Sequence, residues 1–233
     1  MNIAGYQPLT LLDYPGVIAS MVFTQGCPFR CVYCHNPDLI PVQPMDVGHA
    51  VTEERIFQHI EKQRRLLEGV VVTGGEPTIH ADLPVFLKKI KQMGMLVKLD
   101  TNGVHPNMIA YLIEKRLVDF IAMDIKHVWS RYAEVIGRSQ KQIIKNCQKT
   151  VALLSASKIL HEFRTTLYPA LHSADDIKTI ARALEVGARY ALQEVRYEKT
   201  LNTDLVKYPP LDLERIVSEV RVERPDLVIE IRA

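Results

Sequence analysis

The run Ala19-Ser20-Met21-Val22-Phe23-Thr24-Gln25-Gly26-Cys27-Pro28-Phe29-Arg30-Cys31-Val32-Tyr33-Cys34-His35-Asn36-Pro37 passes from a β-rich segment straight into a loop that carries three cysteines. Its first six residues predict a strand, and comparable β-rich runs follow at 70–73, 95–100, 118–124, 158–167 and 188–195. Between them apolar residues recur at helical spacing: Leu83, Phe86, Leu87, Ile90 and Met93, then Ile177, Ile180, Ala181 and Leu184, then Leu213, Ile216, Val217 and Val220. Ser173 followed by Asp176 has the form of a capping box at a helix start. Six strands alternating with helices predict an α/β fold with a parallel sheet and right-handed crossovers. Periodicity alone leaves an open doubly wound sheet and a curved, barrel-like one equally available. One domain is expected over 1–233: an N-terminal extension or hairpin at 1–18, the core at 19–200, and 201–233 contributing a helix and a further strand at 226–232.

The composition is that of an ordinary globular chain: 233 residues, 47% hydrophobic, 24% charged, with 11 Gly and 13 Pro. This excludes a disordered, collagen-like or disulfide-built protein. The net charge of +2, from 29 basic against 27 acidic residues, lacks the basic excess of a duplex binder, so no nucleic-acid partner is expected. No run approaches the roughly 18 apolar residues of a membrane span. The first residues lack the basic and apolar regions of a signal peptide, which implies a cytoplasmic location. In that reducing compartment, three of the four cysteines within eight residues point to metal ligation rather than to disulfides.

Cys27, Cys31 and Cys34 are spaced C-x3-C-x2-C. Three thiolates on one loop can wrap a four-iron cluster and leave one iron open; the alternative is zinc, with His35 or Cys147 as fourth ligand. Cys147 lies on the stripe Ile143, Ile144, Cys147, Val151 and Leu154, which reads as a packed helix face. Three further motifs end the next strands: Thr73-Gly74-Gly75-Glu76-Pro77, Asp100-Thr101-Asn102-Gly103, and Met123-Asp124-Ile125-Lys126. Singly, each is explained by turn chemistry or by a charge reaching solvent. In a parallel α/β fold, however, all four motifs occupy strand C-termini, the face on which active sites are built. Glu76, Asp100 and Asp124 would then offer acidic oxygens suited to an ammonium group or a hard cation.

These motifs resemble the radical S-adenosylmethionine (SAM) superfamily. More narrowly, TQGCPFRCVYCHNPD at 24–38, TGGEP, LDTNG and MDIK, with Asp13-Tyr14-Pro15-Gly16 upstream, resemble the glycyl-radical-enzyme activases. The similarity runs from about residue 10 to about residue 200, and is greatest to activating proteins of anaerobic ribonucleoside-triphosphate reductase, with pyruvate formate-lyase activating enzymes near. The resemblance implies a partial (β/α)6 TIM-like barrel of the radical SAM type. It implies that Cys27, Cys31 and Cys34 hold a [4Fe–4S] cluster whose fourth iron chelates SAM, with Tyr33 near the adenine and Gly74, Gly75 and Glu76 along the methionine amine. Asp100, Thr101, Met123 and Asp124 correspond to a monovalent-cation site, for Na+ or K+, beside the SAM carboxylate, and Lys126 to a SAM-contacting lysine. Asn102 and Arg164 join the expected SAM contacts; His161 and Gln193, on strands five and six, are further candidates.

The implied chemistry is reductive cleavage of SAM and transfer of the radical to a glycine of a partner enzyme, most closely anaerobic ribonucleotide reductase or a relative. A flavodoxin- or ferredoxin-type reductant would feed the cluster, and Arg138, Lys141, Lys145 and Lys149 are either a docking face for it or a solvated helix face. Only Cys147 remains for any second cluster, so none is expected. Two alternatives stand beside this reading: a radical SAM enzyme acting on a small molecule, similar to 7-carboxy-7-deazaguanine synthase, and a zinc-binding interaction protein.

Overall fold

The computed structural model describes residues 1–41 and 51–232. Among them eight strands follow one another in the sheet in chain order: β1 (Ile3–Thr10), β2 (Ala19–Thr24), β3 (Gly69–Gly74), β4 (Leu96–Thr101), β5 (Phe120–Asp124), β6 (Leu160–Leu167), β7 (Arg189–Glu194) and β8 (Val228–Arg232). The helices are α1 (Glu53–Lys62), α2 (Leu83–Gln92), α3 (Pro106–Glu114), α4 (Tyr132–Ile136), α5 (Lys141–Ala156), α6 (Ala174–Arg182) and α7 (Leu213–Glu223). This is the α/β alternation that the apolar patterning predicts. The expected N-terminal hairpin is β1, antiparallel to β2, and the run near the C-terminus is β8, parallel to β7. The six anticipated strands therefore gain one neighbour at each end.

The chain groups into two compact units. The first comprises Met1–Pro28, Asp38–Thr101 and His105–Ala122; the second comprises Phe29–Pro37, Asn102–Val104 and Met123–Ala233. In the first, β3 is parallel to both β2 and β4, Val70 lying opposite Ser20 on one side and Val97 on the other. A strand flanked on both edges and covered on both faces needs apolar residues without alternation, which is why Val70, Val71 and Val72 are consecutive and all fully buried. The helix α2 turns Leu83, Phe86, Leu87 and Ile90 inward, four of the five residues of its predicted stripe. A separate core cluster joins Tyr14, Ala19, Met21, Val71, Phe120 and Ala122.

In the second unit β6 pairs with β7 and β7 with β8, all parallel. A core cluster of Tyr33, Val135, Tyr168 and Val195 sits beside the cysteine loop's second half. The predicted capping box opens α6: the Asp176 N–H donates to Ser173 Oγ (3.3 Å) and the Ser173 N–H to Asp176 Oδ2 (2.9 Å). These bonds satisfy donors that the helix start would leave unpaired. Replacing Ser173 by Ala is expected to lower stability by about 1 kcal/mol. Urea unfolding should show the midpoint falling with an unchanged slope; an unchanged midpoint would contradict the assignment.

Candidate active site

Within the first unit the site residues gather where β2 and β3 end. The Gly26 N–H donates to Leu39 O (2.7 Å) and the Cys27 N–H to Ile40 O (3.1 Å), so the return segment closes the base of the cysteine loop. Cys27 itself is half-buried. The Gly75 N–H donates to Thr24 O (2.9 Å) and the Glu76 N–H to Gly26 O (2.8 Å). A Cβ on Gly75 would lie 2.1 Å from Gly26 O, and Gly74 has φ +112 with Thr24 N 2.3 Å from its missing Cβ. Both glycines are thus needed for the close approach of this chain's own backbone, at the mouth of the loop.

Glu76 is fully buried. Its Oε1 accepts from the Thr78 N–H (3.1 Å), from Thr78 Oγ1 and from Thr101 Oγ1 (2.7 Å). A buried carboxylate requires such donors. Thr101, one of the residues expected at the cation site, therefore orients Glu76 with its hydroxyl. Asp100 pairs with Lys98: Nζ lies 2.5 Å from Oδ1, and the lysine side chain is only 2% exposed. Nothing in the sequence-level reading anticipated Lys98. The available signal was a lysine placed two residues before an aspartate in a strand otherwise buried at Val97 and Leu99.

In the second unit Cys31 and Cys34 close a turn, the Cys34 N–H donating to Cys31 O (2.9 Å). Burial pushes the Cys31 thiol up to about 11, against the opposing pull of the Lys126 ammonium. Tyr33 is buried beside the rings of Tyr168 and His172 (centroids 6.5 and 6.2 Å), and its hydroxyl is among the buried polar atoms without a protein partner. A segment far along the chain straps this loop: the Leu201 N–H donates to Cys34 O (3.0 Å) and the Asn202 N–H to Val32 O (3.1 Å).

Asp124 is held at both oxygens, by Arg164 Nε on Oδ1 (2.8 Å) and Lys126 Nζ on Oδ2 (2.9 Å). Burial works to raise its pKa, but the guanidinium and the ammonium outweigh it and hold the carboxyl well below the usual range. Lys126 is in turn anchored through its carbonyl, which accepts from His172 Nε2 (2.8 Å). The His127 ring stacks on that of His172 at 4.7 Å, with its own Nε2 on Leu171 O (2.9 Å). The Val128 and Tyr168 N–H groups donate to the Nδ1 atoms of His127 and His172. This stacked histidine pair fixes the loop after β5 and is a second feature that the motif reading missed.

Asn102 Oδ1 accepts from the Val104 N–H (3.0 Å), an Asx turn, and Met123 is fully buried with its methyl over Gly103. Cys147 is fully buried on α5, on the apolar stripe the sequence shows, with its thiol donating to Asn102 O (3.4 Å). His161 is displaced from the role considered for it: it lies at the N-terminal end of β6, with Nε2 2.7 Å from Glu185 Oε1. Gln193 is half-buried near the C-terminal end of β7. Among the described residues no three His, Cys, Asp or Glu side chains stand together as a ready-made metal group. Replacing Thr101 by Val removes one donor from Glu76 and is expected to cost about 1–2 kcal/mol. Thr101→Ser should restore the stability in the same unfolding measurement; equal losses in both variants would show that the methyl, not the hydroxyl, matters.

Comparisons with known proteins bear on the family and the fold. The Radical SAM superfamily profile matches residues 21–183. A Methanocaldococcus jannaschii protein, provisionally named a glycyl-radical enzyme activating enzyme, is 31% identical over 210 residues, 89% of this chain and 85% of that one. The pyruvate formate-lyase-activating enzyme of Staphylococcus epidermidis is 30% identical over 159 residues, 64% of this chain and 62% of its own length. Among solved structures, Streptococcus suis SuiB bound to SAM aligns with a TM-score of 0.68 at 16% identity, over 90% of this chain and 48% of that one. A domain of a Bacteroides vulgatus pyruvate-formate lyase-activating enzyme gives 0.54 at 18% identity, over 71% of this chain and 99% of that domain. At such identities the likeness carries the fold alone, which is consistent with the expected partial TIM-like barrel. By the profile over residues 21–183 and by the 31% identity over 89% of its length, the chain belongs to the radical SAM superfamily, in the family of the glycyl-radical enzyme activating enzymes.

Proposed function

We propose that this chain activates a partner enzyme by placing a radical on one of its glycines, with anaerobic ribonucleoside-triphosphate reductase as the partner. The family implies a [4Fe–4S] cluster and SAM. The observation that carries the reading is the loop of three thiols, Cys27, Cys31 and Cys34, leaving β2 while the only other cysteine is packed away on α5. An all-thiol set suits iron–sulfur better than a hard cation, and three ligands leave the fourth iron to the amino and carboxylate groups of SAM. Held by Cys27, Cys31 and Cys34, such a cluster would supply the electron for reductive cleavage of SAM at its S–C5′ bond, the source of the radical delivered to the glycine.

The protein's own part is to bind, orient and exclude water. Cys31, largely protonated at neutral pH because its pKa is near 11, must give up its proton to ligate, so cluster loading releases protons. Gly74 and Gly75 set the backbone of the site's edge, and Glu76, held by Thr78 and Thr101, offers a fixed acceptor to the SAM amine. Tyr33 presents its backbone beside the adenine, its ring being buried against Tyr168. Asn102 borders this face from its Asx turn. Lys126 and Arg164, held in place by Asp124, would offer positive charge to the SAM carboxylate. No described helix is long and apolar enough to cross a membrane, and the reading places the reaction in the cytoplasm with a flavodoxin- or ferredoxin-type donor.

Anaerobic reconstitution with iron and sulfide, then mixing with reductant, SAM and the reductase, should give a glycyl doublet by EPR. SAM consumption without any glycyl signal, on the reductase or on pyruvate formate-lyase, would favour a small-molecule substrate instead. Cys31→Ala should lose the cluster and SAM cleavage, while Cys147→Ala should keep both. Loss of cluster in Cys147→Ala would overturn the assignment of that residue to packing.

A further inference from the structure

We propose that this chain carries its own charge balance at the carboxylates expected to hold a monovalent cation, with Lys98 in the place of the ion at Asp100, so that it neither needs nor binds Na+ or K+ there. An alkali-ion site requires carboxylate oxygens that are not already committed to cations. Each carboxylate already faces a side-chain cation, at Oδ1 of Asp100 and at both oxygens of Asp124, and each is answered within its own unit.

On β4, Lys98 and Asp100 are two residues apart, so their side chains leave the same face of the strand. The ammonium is buried at 2% exposure, lies 2.5 Å from Asp100 Oδ1 and sits 5.9 Å from the centre of the Phe120 ring. A buried ammonium demands a partner of opposite charge, so lysine and aspartate stabilise one another in this position. An ion brought to Asp100 would meet a like charge at hydrogen-bonding distance and would have to displace it into an apolar wall. In the second unit, Asp124 receives Arg164 on one oxygen and Lys126 on the other, two cations for one carboxylate. The donor set that the resemblance assigns to an alkali ion is therefore already neutralised by side chains on β4, on β6 and just beyond β5. Lys98 acts through Asp100, and is a positioning residue.

The inference takes the site to be the one proposed above, but part of its test needs neither cluster nor SAM. Thermal melting of the full chain, with and without reconstituted cluster, is followed in NaCl, KCl and choline chloride at equal ionic strength. SAM affinity is measured on the cluster-loaded chain in the same salts. The native chain should melt alike and bind SAM alike in all three. Lys98→Met should melt lower in choline and lose about tenfold in SAM affinity, the size of one charge-assisted hydrogen bond, with both restored by Na+ or K+. If Lys98→Met does not fold, Lys98→Gln keeps a polar head and is read in the same way. A native chain that is stabilised by Na+ or K+ over choline, or that loses SAM affinity about tenfold in choline, would overturn the proposal, as would a Lys98 variant impaired equally in all three salts. A chain that melts without salt preference and binds no SAM at all would refute the proposed function while leaving the charge assignment standing.

Discussion

The backbone contact between Gly75 and Gly26 is the constraint on which the candidate site depends. It joins the end of β3 to the start of the cysteine loop through a hydrogen bond from the Glu76 N–H to Gly26 O, at a separation that excludes any side chain on Gly75. Consecutive parallel strands put their C-terminal ends side by side, but not close enough for two loops to share hydrogen bonds unless one backbone is bare. Once that approach is made, Glu76 is committed to the interior, and its carboxylate must find donors there. Thr78 from the following turn and Thr101 from β4 provide them. The loop that offers Cys27 is thus built from its neighbours, not from its own sequence alone.

The charges follow a different logic in each unit. At the end of β4 a single buried lysine meets a single aspartate, whereas Asp124 is flanked by two cations. Burial would by itself push the Asp124 carboxyl toward protonation; the adjacent guanidinium and ammonium reverse the sign. Two cations on one carboxylate leave net positive charge beside Asp124. His172, stacked on the His127 ring, holds Lys126 by its carbonyl and so keeps that charge where it is.

Much of this was legible in residues whose effect is local. The strand at 19–24 has the bounds its β-rich composition predicts, the Ser173 capping box is formed, and the buried face of α2 follows the apolar stripe. The cysteine spacing named the family because ligand count and spacing are chemical facts, independent of the fold around them. What could not be read were bonds between distant positions: Leu201 and Asn202 on the carbonyls of the cysteine loop, or Thr101 on Glu76. Lys98 was hidden for the opposite reason, since a lysine at period two in a strand reads as a solvent-facing residue until both faces are known to be covered. His161 misled because its strand was right but its end of the strand was wrong.

The central claim is that three cysteines hold a four-iron cluster and leave its fourth iron for SAM. Mössbauer spectroscopy of the chain reconstituted with labelled iron tests it most directly. The account predicts a [4Fe–4S] spectrum in which one iron becomes distinct from the other three when SAM is added. A chain that takes up no cluster and retains one tightly bound zinc, or a cluster whose irons are all indifferent to SAM, would contradict it.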